Sequence, residues 1–371
     1  MTFNKWTNGL IAAGVVSLGS VALADESPIS TLVSGTTIGG AVDTSAQLKA
    51  GSGDAMAYRF INTAPDHYNG FNLDFFELRI EKPLDEQQWS AGYKAELWLG
   101  QDANGLPGLL SNGVALKQAY VALRAPVGNG LDFKIGQFDT IIGYEVASSY
   151  ANPNFSRSLG YALEPISHTG VTASYQLTEW LGVTGGVADS AYGGLGVRPH
   201  NAGELKGNGT LTYLGSLTVK APESLGVLAG SSLYAGIIDG GLSPETDTLN
   251  YYVGASLPTP IKELTVGVAW DYVTNYGARG NWGQSIAGYA SYQLTEKMKL
   301  NGRVEYGNSN YEAWGVTTDR LFAVTTTLEY ALWANVVSRL EAIWDHDLRA
   351  EDSFNGKNNA VLFVAEVAYK F

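Results

Sequence analysis

The chain has 371 residues with no cysteine, a formal net charge of −13, 16% charged residues and a mean hydropathy of −0.04. These figures exclude a disulfide framework or thiolate metal centre and disfavour nucleic acid, whose binders present basic surfaces. They accompany 45 glycines, 21 tyrosines and 9 tryptophans, and no apolar run long enough for a membrane helix, a combination that fits alternating strands better than helices.

Residues 1–24 have the three parts of an export signal. Lys5 supplies the charge, residues 9–21 the apolar stretch, and Ala22-Leu23-Ala24 the small-x-small cleavage site before Asp25. The expected organisation is therefore a signal peptide at 1–24 and one β domain over 25–371.

Period-2 alternation then recurs to the end of the chain. Residues 35–48 form a weak first strand. Over 71–82, Phe76, Leu78 and Ile80 oppose Glu77, Arg79 and Glu81; over 89–100, Tyr93, Ala95 and Leu97 oppose Lys94 and Glu96. Further strands are expected at 114–125, 131–140, 166–177, 181–191, 207–220, 225–238, 247–257 and 263–274, then at 283–294, 298–308, 318–331, 333–346 and 359–371. That makes about sixteen, each near the length a tilted membrane-crossing strand needs. Short connections (83–87, 126–130, 178–180, 221–224, 258–262, 295–297, 331–332) alternate with long ones (49–70, 101–113, 141–165, 192–206, 239–246, 275–282, 309–317, 347–358). Strict alternation of this kind is the grammar of an antiparallel up-and-down barrel that crosses a membrane. A soluble β-sandwich would show the same strands with the polar face outward, so pattern alone leaves both open.

The connection at 141–165, between the fifth and sixth strands, stands apart. It carries Ile141, Ile142, Tyr144, Tyr150, Phe155, Leu159 and Tyr161 interleaved with Glu145, Arg157 and Glu164. A long connection half apolar and half charged suits a segment folded into a barrel mouth, the alternative being an ordinary packed surface loop. Glu145, Arg157 and Glu164 are the expected constriction residues. Lys94, Glu96, Lys134, Arg303, Glu305, Arg339 and Glu341 are the expected pore-lining residues, with Glu145 and Glu164 facing Lys94, Lys134, Arg303 and Arg339. Aromatic girdles are expected at Trp89, Trp180, Trp333, Tyr369 and Phe371 by the short turns, and at Trp98, Trp270, Tyr272, Trp282 and Trp344 by the long loops.

The histidines give no catalytic arrangement. His168 sits between Ser167 and Thr169, which alternation turns to the other face, and no Gly-x-Ser-x-Gly elbow occurs. His168 reads as a strand-entry residue holding the long loop, and His346 between Asp345 and Asp347 as a solvated edge. No catalytic residue, cofactor or metal site is expected.

Three stretches resemble a known family: FNLDFFELRIEKPLDE (71–86), KQAYVALRAPVGNGLDFKIGQFDTIIGYE (117–145) and NPNFSRSLGYALEPISHTGVTASYQLTEWLGV (152–183). Their order of strand, IGQFDT corner, GYE, SRS loop and P-x-x-H-x-G strand entry is similar to the Putative beta-barrel porin-2, OmpL-like family. The resemblance implies an outer-membrane porin: a water-filled channel for passive diffusion of small hydrophilic solutes or ions, not an enzyme. The final VLFVAEVAYKF is similar to the closing strand of outer-membrane barrels, with Phe363, Val367, Tyr369 and Phe371 in the row that the barrel assembly machinery reads. The implied partners are outer-membrane lipid, that machinery and small solutes, with a homotrimer suggested only by analogy between barrels of this size. Net acidity predicts a weak cation preference. Two alternatives stay open: a plugged barrel acting as adhesin or receptor through its loops, and an exported soluble β-sandwich binding module.

Overall fold

The first strand, β1 (Thr37–Ala50), is hydrogen-bonded along both of its edges, and this closes the sheet. On one side it pairs with β2 (Gly70–Lys82), from Thr37 opposite Glu81 to Gln47 opposite Gly70. On the other it pairs with the last strand, β17 (Asn359–Lys370), from Ala41 opposite Lys370 to Ala50 opposite Val361. Gly40 and Phe371 exchange backbone hydrogen bonds of 3.0 and 3.1 Å beyond that ladder. A computed structural model describes residues 35–54, 57–61, 68–87, 89–193, 211–243, 246–350 and 352–371. The expected export signal lies outside these residues.

Between them run β3 (Ala91–Leu99), β4 (Leu109–Ser111), β5 (Val114–Ala125), β6 (Leu131–Asp139), β7 (Ser167–Gln176), β8 (Leu181–Ala188), β9 (Thr212–Lys220) and β10 (Ser232–Ser243). The remainder are β11 (Thr246–Pro258), β12 (Leu264–Thr274), β13 (Trp282–Gln293), β14 (Met298–Ser309), β15 (Arg320–Tyr330) and β16 (Val336–Asp347). Strand β4 is a three-residue addition paired on β5; the other strands form a closed antiparallel barrel of 16. Closure leaves no edge, so the strands satisfy their backbone polar groups internally, as hydrocarbon surroundings require.

The faces are inverted relative to a protein folded in water. Along β17, Phe363, Val367 and Tyr369 are exposed while Glu366 on the opposite face is 1% exposed. Val304 and Leu340 are likewise exposed, and Arg303, Glu305, Arg339 and Glu341 are buried. Burying a Val, Leu or Phe side chain is worth about 1.5–3 kcal/mol, and a sandwich would collect that against a second sheet. The described strands form one sheet only, so no second sheet covers the outer row. The sandwich alternative is thereby set aside.

Three expectations are corrected. The segment 225–238, expected as strand, begins β10 only at Ser232. Residues Glu223–Leu228 form a 3-10 turn after Pro222, and Gly226 breaks it with φ of 58°. Conversely, the glycines and proline of 239–246 suggested a long loop, yet β10 runs to Ser243 and β11 begins at Thr246. Short and long connections therefore exchange places around β10. Trp98, assigned to an outer girdle, is 0% exposed and stacks on Phe75 with ring centroids 4.0 Å apart. It shares the parity of Lys94 and Glu96, so alternation itself places it inside. Trp89, Trp180, Trp333, Trp344, Tyr369 and Phe371 are exposed.

Candidate functional site: the loop inside the barrel

The β6–β7 connection, residues 140–166, is closed at its base and folded inward. Thr140 N–H donates to the Ile166 carbonyl at 3.0 Å. The buried His168 ring has one nitrogen 3.1 Å from Thr140 Oγ1 and the other 3.4 Å from the Ser190 carbonyl, the loop-holding place expected for it. Asn152 braces the first bend, accepting from Val146 N–H at 2.8 Å and donating to its carbonyl at 2.7 Å. Short 3-10 turns at Ser149–Ala151 and Tyr161–Leu163 fix the rest. The apolar side chains then pack on the wall: Phe155 with Ile343, Leu362 and Val364, and Leu159 with Trp314 and Leu321.

Between the two 3-10 turns, the loop has no regular ladder of its own, and buried N–H and C=O groups need partners. The wall supplies them. Glu341 on β16 accepts from Phe155 N–H and Ser156 N–H at 2.7 and 2.9 Å. Glu305 on β14 accepts from Leu159 N–H at 2.5 Å, and the loop's own Glu145 accepts from Ser158 N–H at 2.6 Å. Arg303 donates to the Ser156 carbonyl at 2.7 Å and the Arg157 carbonyl at 3.0 Å, and pairs with Glu145 at 2.7 Å and Glu305 at 2.8 Å. Arg339 donates to the carbonyls of Ser149 and Asn152 at 3.0 and 2.7 Å while paired with Glu329 and Glu366. Wall carboxylates thus take the loop's donors, and wall guanidiniums its acceptors. Charge-assisted bonds of this kind are the strong class.

The expected residues separate into four groups. Glu145, Arg303, Glu305, Arg339 and Glu341 come together as described. Arg157 turns back into its own loop, donating to the carbonyls of Phe155 and Ala147. Lys94 and Glu96 pair with each other at 3.1 Å, Glu96 also with Lys117 at 3.0 Å, and Lys134 lies over the Tyr120 ring at 5.2 Å. Neither lysine has a bond to the loop among those found in the described residues.

Glu164 does not face a basic wall. Its carboxyl is hydrogen-bonded to Asp271 on β12. Burial pushes the Glu164 carboxyl well above the usual range, and the charge of Asp271 adds to the effect. The pair fits only because glycine stands at two loop positions. A Cβ at Gly143, whose φ is 115°, would collide with the Glu164 carboxylate, and one at Gly160 with that of Asp271.

Sequence reasoning missed Arg59, Asp271 and Trp314. Asp271 was available from alternation, since it lies inward between Trp270 and Tyr272; Arg59 and Trp314 lie in connections, where no period marks them.

A family model described as Putative beta-barrel porin-2, OmpL-like matches residues 35–371. The outer-membrane channel DcaP of Acinetobacter baumannii is similar in structure, with a TM-score of 0.62 at 12% identity, covering 91% of this chain and 97% of that one. The anion-selective porin from Comamonas acidovorans gives 0.60 at 11% identity, covering 91% and 99%. OprB of Pseudomonas putida gives 0.62 at 12% identity, covering 91% and 94%. Identities this low speak for the fold alone. No curated protein matches the sequence. With the family model spanning the barrel from its first strand to its last, the chain belongs to the Putative beta-barrel porin-2, OmpL-like family of outer-membrane channel porins.

Proposed function

We propose that this porin carries small hydrophilic solutes or ions by passive diffusion, with residues 140–166 forming the narrowest part of its path. The observation that carries the reading is the inward loop bonded along its backbone to charged side chains of β14 and β16. A 16-strand barrel leaves an aqueous channel unless something fills it, and here one loop fills one side. Selectivity then follows from the size of the remaining gap and the charges beside it. Glu145, Arg157 and Glu164 fix the loop, and Lys94, Glu96 and Lys134 line the wall away from it. The formal charge of −13 favours a weak cation preference.

The reading extends to assembly. Residues 1–24 serve as the export signal, and the row Phe363, Val367, Tyr369 and Phe371 is the mark read by the barrel assembly machinery. Its outward exposure and its place on the closing strand support this role. A homotrimer in outer-membrane lipid is the expected assembly by analogy. Reconstitution into planar bilayers under a salt gradient tests the channel and its charge preference together. Stepwise conductance with a small cation-directed reversal potential is expected. Silent membranes would favour the plugged adhesin or receptor; a clear anion-directed potential would overturn the charge preference.

A further inference from the structure

A second loop enters the barrel. Residues Ala57–Arg59 of the β1–β2 connection form a 3-10 turn, and Arg59 is 1% exposed although it belongs to a loop. Its guanidinium donates to Glu305 on β14 at 2.6 Å, to Asp345 on β16 at 2.5 Å and to the Arg157 carbonyl at 3.0 Å. Its own carbonyl accepts from Arg157 N–H at 2.8 Å. Arg59 therefore grips both backbone groups of one loop residue while tied to two wall strands. The next residue, Phe60, packs on Phe155 with ring centroids 5.9 Å apart. Ile61 joins Phe75, Trp98, Leu106 and Ala147.

Barrel closure does not need this anchor, because β1 and β2 pair from Thr37 to Gln47 without it. Desolvating a guanidinium is costly and is offset only by excellent geometry. Here the geometry is spent on the loop at Arg157 and on the wall that holds it.

We propose that Arg59 is a positioning residue for the channel: residues 58–61 act as an inward strap that presses the segment 155–159 onto β14 and β16. Two loops, not one, then set the width of the gap. This rests on the channel reading above.

Because the chain has no cysteine, Ser158→Cys gives a lone thiol in the gripped segment, and its rate of reaction with a methanethiosulfonate reagent reports loop exposure without any need for conduction. Arg59→Ala alone strips Asp345 of its only salt-bridge partner among the described residues. The informative variant is therefore Arg59→Ala with Asp345→Asn, in the full barrel. The reporter thiol should then react at least about tenfold faster, the scale of losing charge-assisted bonds, and open-channel current should become larger and noisier. Should that variant fail to fold, Arg59→Lys serves. It keeps a charge near Asp345 but loses the planar fork that reaches Arg157, and it should speed labelling by a smaller factor. A folded, heat-modifiable variant with unchanged labelling and unchanged current overturns the strap. Faster labelling in a protein that never conducts retains the strap and removes the channel reading instead.

Discussion

On β14 to β17 the inward side chains include Arg303, Glu305, Arg339, Glu341, Asp345 and Glu366, all buried; on β7 and β8 they include Ser174 and Thr184, bonded to each other at 2.9 Å and half-exposed. Both walls come from the same alternating grammar and face the same lumen. The difference lies in what each can offer a loop. Buried backbone needs donors and acceptors in matched numbers, and the charged wall presents both within reach, with Asn250 on β11 adding one donor to the Leu163 carbonyl at 2.9 Å. The inward loop leans there, and the hydroxyl- and glycine-bearing wall stays wet. An asymmetric lumen thus follows from the placement of a few ion pairs.

The sharpest way to break this contrast is to remove the central cation. Arg303→Ala strips Glu145 of its cation and the Ser156 carbonyl of its donor, and leaves Glu305 and the Arg157 carbonyl to Arg59 alone; removing one partner of a buried pair costs about 3–5 kcal/mol. The loop should detach, seen as a large rise in single-channel conductance and a lower temperature for the heat-modifiable gel shift. Wild-type conductance in a folded Arg303→Ala barrel would contradict the clamp.

Outside the barrel the sign of the rule reverses. Leu340→Arg, on an exposed outward position, should cost about 2–4 kcal/mol if it lies near the bilayer midplane. Reversible unfolding from liposomes measures it, and a neutral result would argue against lipid on that face.

A smaller effect separates Glu164 from the clamp. Its folded value is raised, so its contribution to holding the loop is complete below the ordinary carboxylate value of about 4.3. It is lost as pH rises through the raised value, when Glu164 and Asp271 are both charged and repel. Glu145, the half-buried Tyr192 and the buried Tyr252 face the same pair. Conductance should climb on the alkaline side, and Glu164→Gln should flatten that climb. A profile identical in the variant would assign the titration to another group. Least of all, Thr184→Ala on the wet wall should shift stability by within about 0.5 kcal/mol and leave conductance near wild type; a large change there would mean that the loop also leans on β8.

How much of this was legible depends on periodicity. Alternation put Arg303, Glu305, Arg339 and Glu341 on one inner face and Phe363, Val367 and Tyr369 on the outer, and in the barrel the first four are buried and the last three exposed. It also held Trp98, which a separate rule about aromatics assigned to the outer face, and Asp271. Around β10 the reading failed because Pro and Gly mark turns of any length. Gly240 and Gly241 lie within β10, whereas Gly226 breaks the 3-10 turn at Glu223–Leu228. The partner of Glu164 and the strap at Arg59 were out of reach, since both are contacts between connections and distant strands. No local period encodes which wall a loop will choose.

In the proposed channel, residues 140–166 narrow a water-filled path by lying on β14 to β17. Single-channel recording of the wild-type barrel beside a deletion of residues 148–158 tests it most directly. A stable, larger conductance step in the deletion is the predicted result. An unchanged step from a correctly folded deletion would remove the loop from the path and contradict the account.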